Sequence, residues 1–366
     1  MRVALAAAGT AGHIEPALAL ARWLQADDPS IHCEFIGTSA GLDTSILQSS
    51  GFTLHPVTKA PFPRRSTLTA LAWPFKFARA ISQISRALKG CDLVVGFGGY
   101  VCAPTYLVAR AKKIPIVIHE ANAKPGMANN LGRALGAHLT VAFESTGLRD
   151  SKWGKAEIVG MPLRSSIIEG AQLSLEARNQ IRIKKANDWG FDPKRPIVVV
   201  FGGSQGSQAI NAVISEILPH TARIGIQILH AVGAGNRLPA RSENYLPLHY
   251  IADMADTLLA ADLSISRAGA VTCAEIGVLG TFGVFVPLAI GNGEQSFNAL
   301  ELSDRGAAIV LDQTQLTTRH LSQNLISYVK QAQQYRATTH APLFPIDAPA
   351  KLGGIVKSQR NHGRQR

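Results

Sequence analysis

The chain has 366 residues and is 46% apolar, long for one hydrophobic core and sufficient for two domains of ordinary size. Its formal net charge of +12 points to an anionic partner, whether nucleic acid, a lipid surface or a phosphorylated substrate, and charge alone does not choose among them. Cys33, Cys91, Cys102 and Cys273 form no C-x-x-C pair, which argues against a disulfide framework or a zinc site and for a reducing, cytosolic location, and no apolar run approaches the roughly 18 residues of a membrane-spanning helix.

The first element is the apolar run VALAA at 3–7. One arginine followed by a short apolar stretch resembles a secretory signal, but the run ends at Ala8 in the turn Gly9-Thr10-Ala11-Gly12 and continues as an amphipathic helix, so it reads as a β-strand. A strand feeding a glycine loop that opens onto a helix N-terminus gathers unpaired amides and the positive end of the dipole at one spot, which suits an anion. A second strand, CEFIG at 33–37, follows.

Between Asp43 and Asp92 there is no acidic residue, yet Lys59, Arg64, Arg65, Lys76, Arg79, Arg86 and Lys89 all fall there. On a helix beginning near Leu71, residues Trp73, Phe77, Ile81, Ile84 and Leu88 share one face and Lys76, Arg79 and Arg86 the other; that apolar stripe reads as core. The stretch before it, APFPRRSTLTALAWPF, sets Phe62, Leu68, Leu71, Trp73 and Phe75 among Arg64, Arg65 and Lys76, the composition of a patch that docks on an anionic membrane. A solvated basic face is the plainer alternative.

Strands LVVGF at 93–97 and IPIVI at 114–118 complete the first series. HEANA at 119–123 is not the zinc motif H-E-x-x-H, because its fifth position is Ala123. Gly160 and Pro162 in IVGMPLRSS interrupt the pattern, and after a polar stretch to Arg195 it restarts: IVVVF at 197–201 leads into the glycine loop GGSQGS and another helix, followed by IQILHAV at 226–232, LSIS at 263–266 and GVFVP at 283–287. Continuous apolar strands alternating with helices specify parallel sheets covered on both faces, so the fold class is α/β with two doubly wound, Rossmann-like domains. The expected divisions are 1–162 and 163–341, with a segment from about 342 to 366 placed to pack back on the first domain and a basic tail expected to fray.

A dinucleotide site needs an acidic residue at the end of the second strand, and neither Ile36-Gly37-Thr38 nor Val232-Gly233 supplies one. The chain also lacks Asp-x-Asp, the usual carboxylate pair for a metal-bridged nucleotide sugar. If a nucleotide diphosphate binds here, backbone amides, hydroxyls and cationic side chains must meet its charge.

The set GTAGHIEPALALA (9–21), GFGGYVCAP (96–104), HEAN (119–122), VGMPLR (159–164), GGSQGSQAIN (202–211), YIADMA (250–255), SRAGAVTCAEI (266–276) and GNGEQSFNA (291–299) resembles the MurG family, in family order and over about residues 1–310. That resemblance implies a GT-B fold with two parallel sheets facing a central cleft. It implies an inverting, metal-independent glycosyltransferase with no cofactor, moving N-acetylglucosamine from UDP-N-acetylglucosamine to undecaprenyl-pyrophosphoryl-muramoyl-pentapeptide (lipid I) through a β-1,4 link in peptidoglycan synthesis. The first domain would take the acceptor and the membrane, the second the UDP-sugar. The protein would sit peripherally on the cytoplasmic side of the cell membrane, with anionic inner-membrane lipids and no nucleic acid as partners. This chain departs from the family at Ala7, Ala8 and Ala11, where glycine is common, at Ala121 for a frequent Gln, and at Glu294 for the first of two glutamines. Transfer to another acceptor or sugar epimerisation on the same fold is the second reading, and a nucleic-acid or lipid-binding module without chemistry the third.

The resemblance assigns roles residue by residue. His13 lies in the first turn of a helix, where the dipole disfavours its cationic form and favours a neutral imidazole able to accept the acceptor hydroxyl's proton; the rival role is contact with the acceptor's pyrophosphate, and the sequence does not separate the two. Glu275 would accept the ribose hydroxyls, and Ala270, Val271, Thr272, Cys273 and Ala274 would approach the nucleotide. Ile251 would meet uracil through its backbone with Tyr250 nearby, Ser204 and Arg164 would face the diphosphate, and Thr10, Ala11, Gly12, Asn122, Gln295 and Asn298 would surround the sugar. Tyr100 and Glu120 fall on the acceptor side.

Overall fold

In the run from Val3 to Ala8, Val3, Leu5 and Ala7 pack into one apolar cluster while Ala4, Ala6 and Ala8 pack into another, and all six are buried. A strand covered on both faces belongs in the middle of a parallel sheet. A computed structural model, which describes residues 1–38, 42–60, 67–288, 293–338 and 341–364, places Arg2–Ala6 (β1) there. With His32–Thr38 (β2), Thr53–Val57 (β3), Leu93–Gly96 (β4), Ile116–Glu120 (β5), His138–Val141 (β6) and Glu157–Ile158 (β7) it forms a sheet of seven parallel strands among the described residues, in the order β3-β2-β1-β4-β5-β6-β7. The order reverses between β1 and β4, where the loops leaving the two carboxyl ends part to opposite faces, the usual place for a ligand in an open α/β sheet.

The two faces are built differently. The helix Ala11–Asp27 sets Ile14, Ala17, Leu20 and Leu24 on the side of Val3 and Leu5. On the alanine side lie Ala80, Ile84 and Leu88, from the helix Thr67–Ala87 and its exit, together with Cys102, Tyr106 and Ala109 from the helix Cys102–Ala111. The stripe that includes Ile84 and Leu88 is therefore core. Tyr106 reaches so far under the sheet that a Cβ on Gly96 would lie 1.9 Å from its hydroxyl oxygen.

By internal contacts the first unit comprises Met1–Arg164 and Asp347–Arg366, and the second Ser165–Ile346. The second unit repeats the plan with Ile197–Phe201 (β8), Gln227–Ala231 (β9), Tyr245–Leu248 (β10), Leu263–Ser266 (β11), Phe282–Phe285 (β12) and Ala308–Val310 (β13), all parallel in the order β10-β9-β8-β11-β12-β13, reversing between β8 and β11. Each of the eight apolar runs read from the sequence overlaps one of these strands. Among the described residues, no helix is long and apolar enough to cross a membrane.

The basic tail is a correction to the sequence reading. Instead of fraying, Ala348–Arg364 is a helix whose Leu352 and Val356 enter the first unit's core, while Lys357 pairs with Asp27 at 2.5 Å and lies 5.2 Å from the centre of the Trp23 ring. Apolar residues four apart give the tail a buried face, and that burial outweighs its charge.

Two adjacent glycines in this helix test the packing. A Cβ on Gly353 would lie 2.1 Å from the Trp23 ring, whereas one on Gly354 meets nothing within 4 Å. Gly354→Ala is expected to raise stability by up to about 1 kcal/mol through helix propensity alone. Gly353→Ala is expected to lower it by about 1–3 kcal/mol because overpacking exceeds that gain. Opposite shifts of the urea midpoint would show both effects, and equal shifts would contradict the packing.

Candidate functional site

At the switch point of the first sheet, two glycine loops press together. The loop after β1 turns at Gly9, where φ is +102°, and Thr10 begins the helix, its carbonyl accepting from the amides of His13 (3.1 Å) and Ile14 (3.4 Å). The loop after β4 turns at Gly98 and Gly99, with φ of +105° and +83°. A Cβ on Gly99 would lie 2.1 Å from the Ala8 carbonyl oxygen, and one on Gly98 would lie 2.9 Å from the His13 ring. Only glycine permits both the backbone angles and this approach. The Cys102 thiol, buried and raised to about 11 by desolvation, stays protonated and donates to the carbonyls of Ala6 (3.2 Å) and Gly98 (3.0 Å), tying the loops from below.

His13 is oriented by this arrangement. Its Nδ1 lies 3.1 Å from the Ala8 carbonyl and 3.3 Å from the Thr10 hydroxyl. A carbonyl can only accept, so Nδ1 carries the proton in this contact, and a neutral ring then has its lone pair on Nε2. Gly12 lies in the same first turn, as does Ala11, whose side chain is outside the description. Tyr100, half-buried at the far end of the second loop, has the Lys59 ammonium 5.9 Å from the centre of its ring.

Glu120, at the end of β5, is 2% exposed. One carboxylate oxygen accepts from the backbone (2.9 Å) and side-chain amide (3.3 Å) of Asn122, and the other from the Gly126 amide and Asn129 Nδ2, both at 2.9 Å. Asn129 in turn accepts from the Tyr106 hydroxyl at 2.8 Å. Glu120 thus holds the loop that carries Asn122. His119, which precedes it, is a core residue: burial lowers it to about 3, and the neutral ring donates from Nδ1 to Thr140 at 3.2 Å, since that hydroxyl itself donates to the Ile118 carbonyl. Arg164 lies 3.8 Å from the Glu15 carboxylate on the first helix.

Within the second unit, the loop Gly202–Ser207 closes in the same manner. A Cβ on Gly206, where φ is +75°, would lie 1.9 Å from the Val232 carbonyl oxygen. Ser204 holds this loop to the next, its carbonyl accepting from Ala234 at 3.0 Å, and the Ser207 hydroxyl caps the helix Gln208–Arg223. Behind the loop, neutral His230, lowered to about 4 by burial, joins Asn211 Oδ1 (3.0 Å) to the Tyr245 hydroxyl (3.0 Å), and Asn211 donates to the Val232 carbonyl at 2.9 Å.

After β11 the chain enters the helix Ala270–Leu279 through Gly269, which is extended and provides no side-chain cap. The first turn, Ala270 to Thr272, therefore receives no side-chain cap from its N-cap residue and holds no acidic residue, the arrangement of a helix-terminal anion site. Cys273 and Ala274 turn into the core, and desolvation raises the Cys273 thiol. Glu275 is 4% exposed in the second turn. Ile251 is buried beside Tyr250, which is 56% exposed. Buried Asn298 donates to the Ala268 carbonyl at 3.2 Å, and Gln295 accepts from the Leu288 amide at 3.0 Å. Arg267, which the sequence reading gave no role, donates to the Val286 carbonyl at 3.0 Å and fixes the ends of β11 and β12 together. Its place inside SRAGAV was the available signal.

Of the patch residues, Phe62, Arg64 and Arg65 lie outside the described residues, and Leu68 and Leu71 fall on the helix Thr67–Ala87 with their side chains outside the description. Trp73 stacks on Phe77 at 4.8 Å and donates to the Ala60 carbonyl, while Phe75 is 81% exposed beside exposed Lys76.

Residues 3–134 match the glycosyltransferase family 28 N-terminal domain and residues 197–351 the family's C-terminal domain. The chain is 40% identical to the UDP-N-acetylglucosamine–N-acetylmuramyl-(pentapeptide) pyrophosphoryl-undecaprenol N-acetylglucosamine transferase of Corynebacterium glutamicum (strain R), over 99% of this chain and 100% of that one. It is 40% identical to the enzyme of the same name from Streptomyces coelicolor, over 89% and 88% of the two chains. Among solved structures, Acinetobacter baumannii MurG superimposes with a TM-score of 0.70 at 28% identity, covering 98% of this chain and 99% of that one. The UDP-GlcNAc 2-epimerase of Neisseria meningitidis, at 12% identity and a TM-score of 0.64 over 98% and 100% of the chains, shares the fold alone.

Removing the Glu120 carboxylate leaves buried amides without an acceptor, so Glu120→Ala is expected to destabilise the first unit by about 2–4 kcal/mol and Glu120→Gln by less. Urea denaturation read by fluorescence checks this. An unmoved midpoint for Glu120→Ala would show that the carboxylate does not hold the loop.

Proposed function

The chain belongs to glycosyltransferase family 28, among its MurG members, and from that premise we propose that it transfers N-acetylglucosamine from UDP-N-acetylglucosamine to the muramoyl 4-hydroxyl of lipid I, forming lipid II with inversion at the anomeric carbon. The observation that carries the chemical part of this reading is the His13 ring, held at Nδ1 by the Ala8 carbonyl at the start of a helix. In this reading Nε2 takes the proton of the acceptor hydroxyl as its oxygen attacks the anomeric carbon and the bond to UDP breaks. For this step the ring must be neutral beforehand.

Departing UDP carries the charge that must be stabilised. The sequence has no Asp-x-Asp to bridge a metal, and the uncapped amides of Ala270, Val271 and Thr272 support a role for backbone dipoles in its place, aided by Ser204 and Arg164. Glu275 is assigned the ribose and the Ile251 backbone the uracil, with exposed Tyr250 beside it. Thr10, Ala11, Gly12, Asn122, Gln295 and Asn298 are assigned the sugar, and Tyr100 the acceptor. For Glu120 the geometry favours a positioning role through Asn122 over direct contact with the acceptor.

Two substitutions separate the roles. His13→Ala is expected to lower kcat by about 10²–10⁴-fold at nearly unchanged donor KM, and Glu275→Ala to lower kcat/KM for the donor by about 10- to 100-fold. A His13 variant that raises only the acceptor KM would transfer that residue to the pyrophosphate role.

The same reading puts the protein peripherally on the cytoplasmic face of the membrane, docked through Trp73, Phe75 and Lys76 together with Phe62, Arg64, Arg65, Leu68 and Leu71. Exposed Phe75 beside a cation supports it. Binding to anionic vesicles should then have two parts: Lys76→Gln weakens the part seen at low salt, and Phe75→Ser the part that survives high salt. Cosedimentation at two salt concentrations measures both, and two variants that sediment like the parent would leave the segment as a solvated face.

A further inference from the structure

Three arginines converge at the amino-terminal edge of the second sheet, opposite the edge that carries the glycine loops. Arg178 and Arg182 lie one turn apart on the helix Leu175–Trp189, and Arg336 lies near the end of the helix Thr318–Thr338. With Lys194, Asp262 and Gly280, which precede β8, β11 and β12, they line a cavity of about 670 Å³. That volume lies within the range of small-molecule sites.

The guanidinium groups are fixed in place by backbone. Arg178 donates to the carbonyls of Ala171 (2.9 Å), Leu173 (3.2 Å) and Leu279 (2.7 Å), and Arg336 to those of Leu259 (2.9 Å) and Ala261 (3.0 Å). Arg182 donates to the carbonyls of Ala260, Pro193 and Arg195 and to the Asp262 carboxylate at 2.8 Å. Most of these bonds meet helix ends and those to Pro193 and Arg195 meet the loop before β8, but a carbonyl is a dipole and does not cancel a full charge. Each terminal guanidinium nitrogen carries two hydrogens, and the two bonds of Arg336 take one from each.

The charge around the cavity is unbalanced. Asp262 is the one carboxylate among the residues that line it, against three guanidiniums and the Lys194 ammonium, and it also accepts from the Ile197 amide at 2.8 Å. Burial lowers the pKa of Arg336, Asp262 opposes that shift, and neighbouring Arg182 and Arg178 deepen it. Ser174, the cap of the helix Leu175–Trp189, brings the positive end of that helix to the same wall. Helix capping and support of the loop before β8 explain the carbonyl contacts. They do not explain why three like charges surround open space rather than apolar packing.

We propose that this cavity is a second ligand site, separate from the transfer chemistry, that binds a phosphate-bearing anion. Planar guanidinium donors held rigidly are suited to phosphate oxygens, and the cavity is larger than a phosphate group, leaving room for the body that carries it.

The test is titration calorimetry of the full chain with inorganic pyrophosphate in saturating UDP, which fills the donor site. Asn179 and Lys194 are exposed on the rim, so the double variant Asn179→Glu/Lys194→Glu reverses charge without touching the core. The parent is expected to bind saturably, and the double variant about tenfold or more weakly, with Arg336→Gln weakened as well. Absence of saturable binding by the parent, or parent-like binding by the double variant, overturns the proposal. Cosedimentation with phosphatidylglycerol vesicles then assigns the source of the phosphate: loss in the double variant identifies a lipid headgroup, and unchanged sedimentation a soluble compound.

Discussion

The geometry of the first unit's candidate site depends on a contact between two stretches of backbone, Gly99 against the carbonyl of Ala8. That carbonyl sits where the loops after β1 and β4 diverge, and it does two things at once. It abuts a residue without a Cβ, which lets the loops close to contact, and it holds His13 Nδ1, which sets the tautomer of the ring. The β1–β4 ladder runs directly into this contact, with Ala6 opposite Gly96 and the Phe97 amide donating to the Ala6 carbonyl at 2.9 Å. A side chain at position 99 would therefore push on a carbonyl anchored in the sheet. The alanines at 7 and 8, where glycine is common in the MurG family, fit this arrangement because their methyl groups enter the two apolar clusters on either side of β1 and stay out of the loop.

The second unit applies the same device in another place. There Gly206 is driven against the Val232 carbonyl, so the loop after β8 packs on the loop after β9, on the side away from β11. The Asn211–His230–Tyr245 chain supports that carbonyl from behind, with Asn211 donating to it. The consequence is electrostatic. On the β11 side, the helix Ala270–Leu279 starts from Gly269, which has no side chain to cap its amides, so its positive end is formed by backbone alone.

The legible parts of the sequence were those where one local requirement dominates. Eight strands covered on both faces stand out because burial demands unbroken apolar runs, and the glycine loops stand out because their φ values exclude other residues. The strands that were missed, β3 (TLHPV), β6 (HLTV), β7 (EI), β10 (YLPL) and β13 (AIV), lie at or next to sheet edges, where one neighbour or one covered face suffices. Proline and histidine are tolerated there, and the apolar signal disappears. The site divides similarly. Glu120 was visible as a motif residue, but its work depends on Asn129, nine residues on and one helix away, and nothing in the spacing announces that pair. The arginine cavity is assembled from three stretches far apart in the chain and was invisible for the same reason.

The charge of the last residues suggests fraying, but apolar residues four apart give them a helix with a buried face, and its place constrains how the protein is made. Leu352 and Val356 fill part of the core beneath β1, against the helix that begins at the His13 loop. A segment that lies beyond the second unit in the chain thus completes the core of the first. Until residues 348–364 have left the ribosome, Trp23, Leu24 and their neighbours have no cover on that side, whereas the second unit, continuous from Ser165 to Ile346, lacks nothing by then. Burial of a few aliphatic side chains contributes several kcal/mol, comparable to the whole stability of a domain. The core beneath the helix that begins at the His13 loop is therefore complete only when that segment is in place.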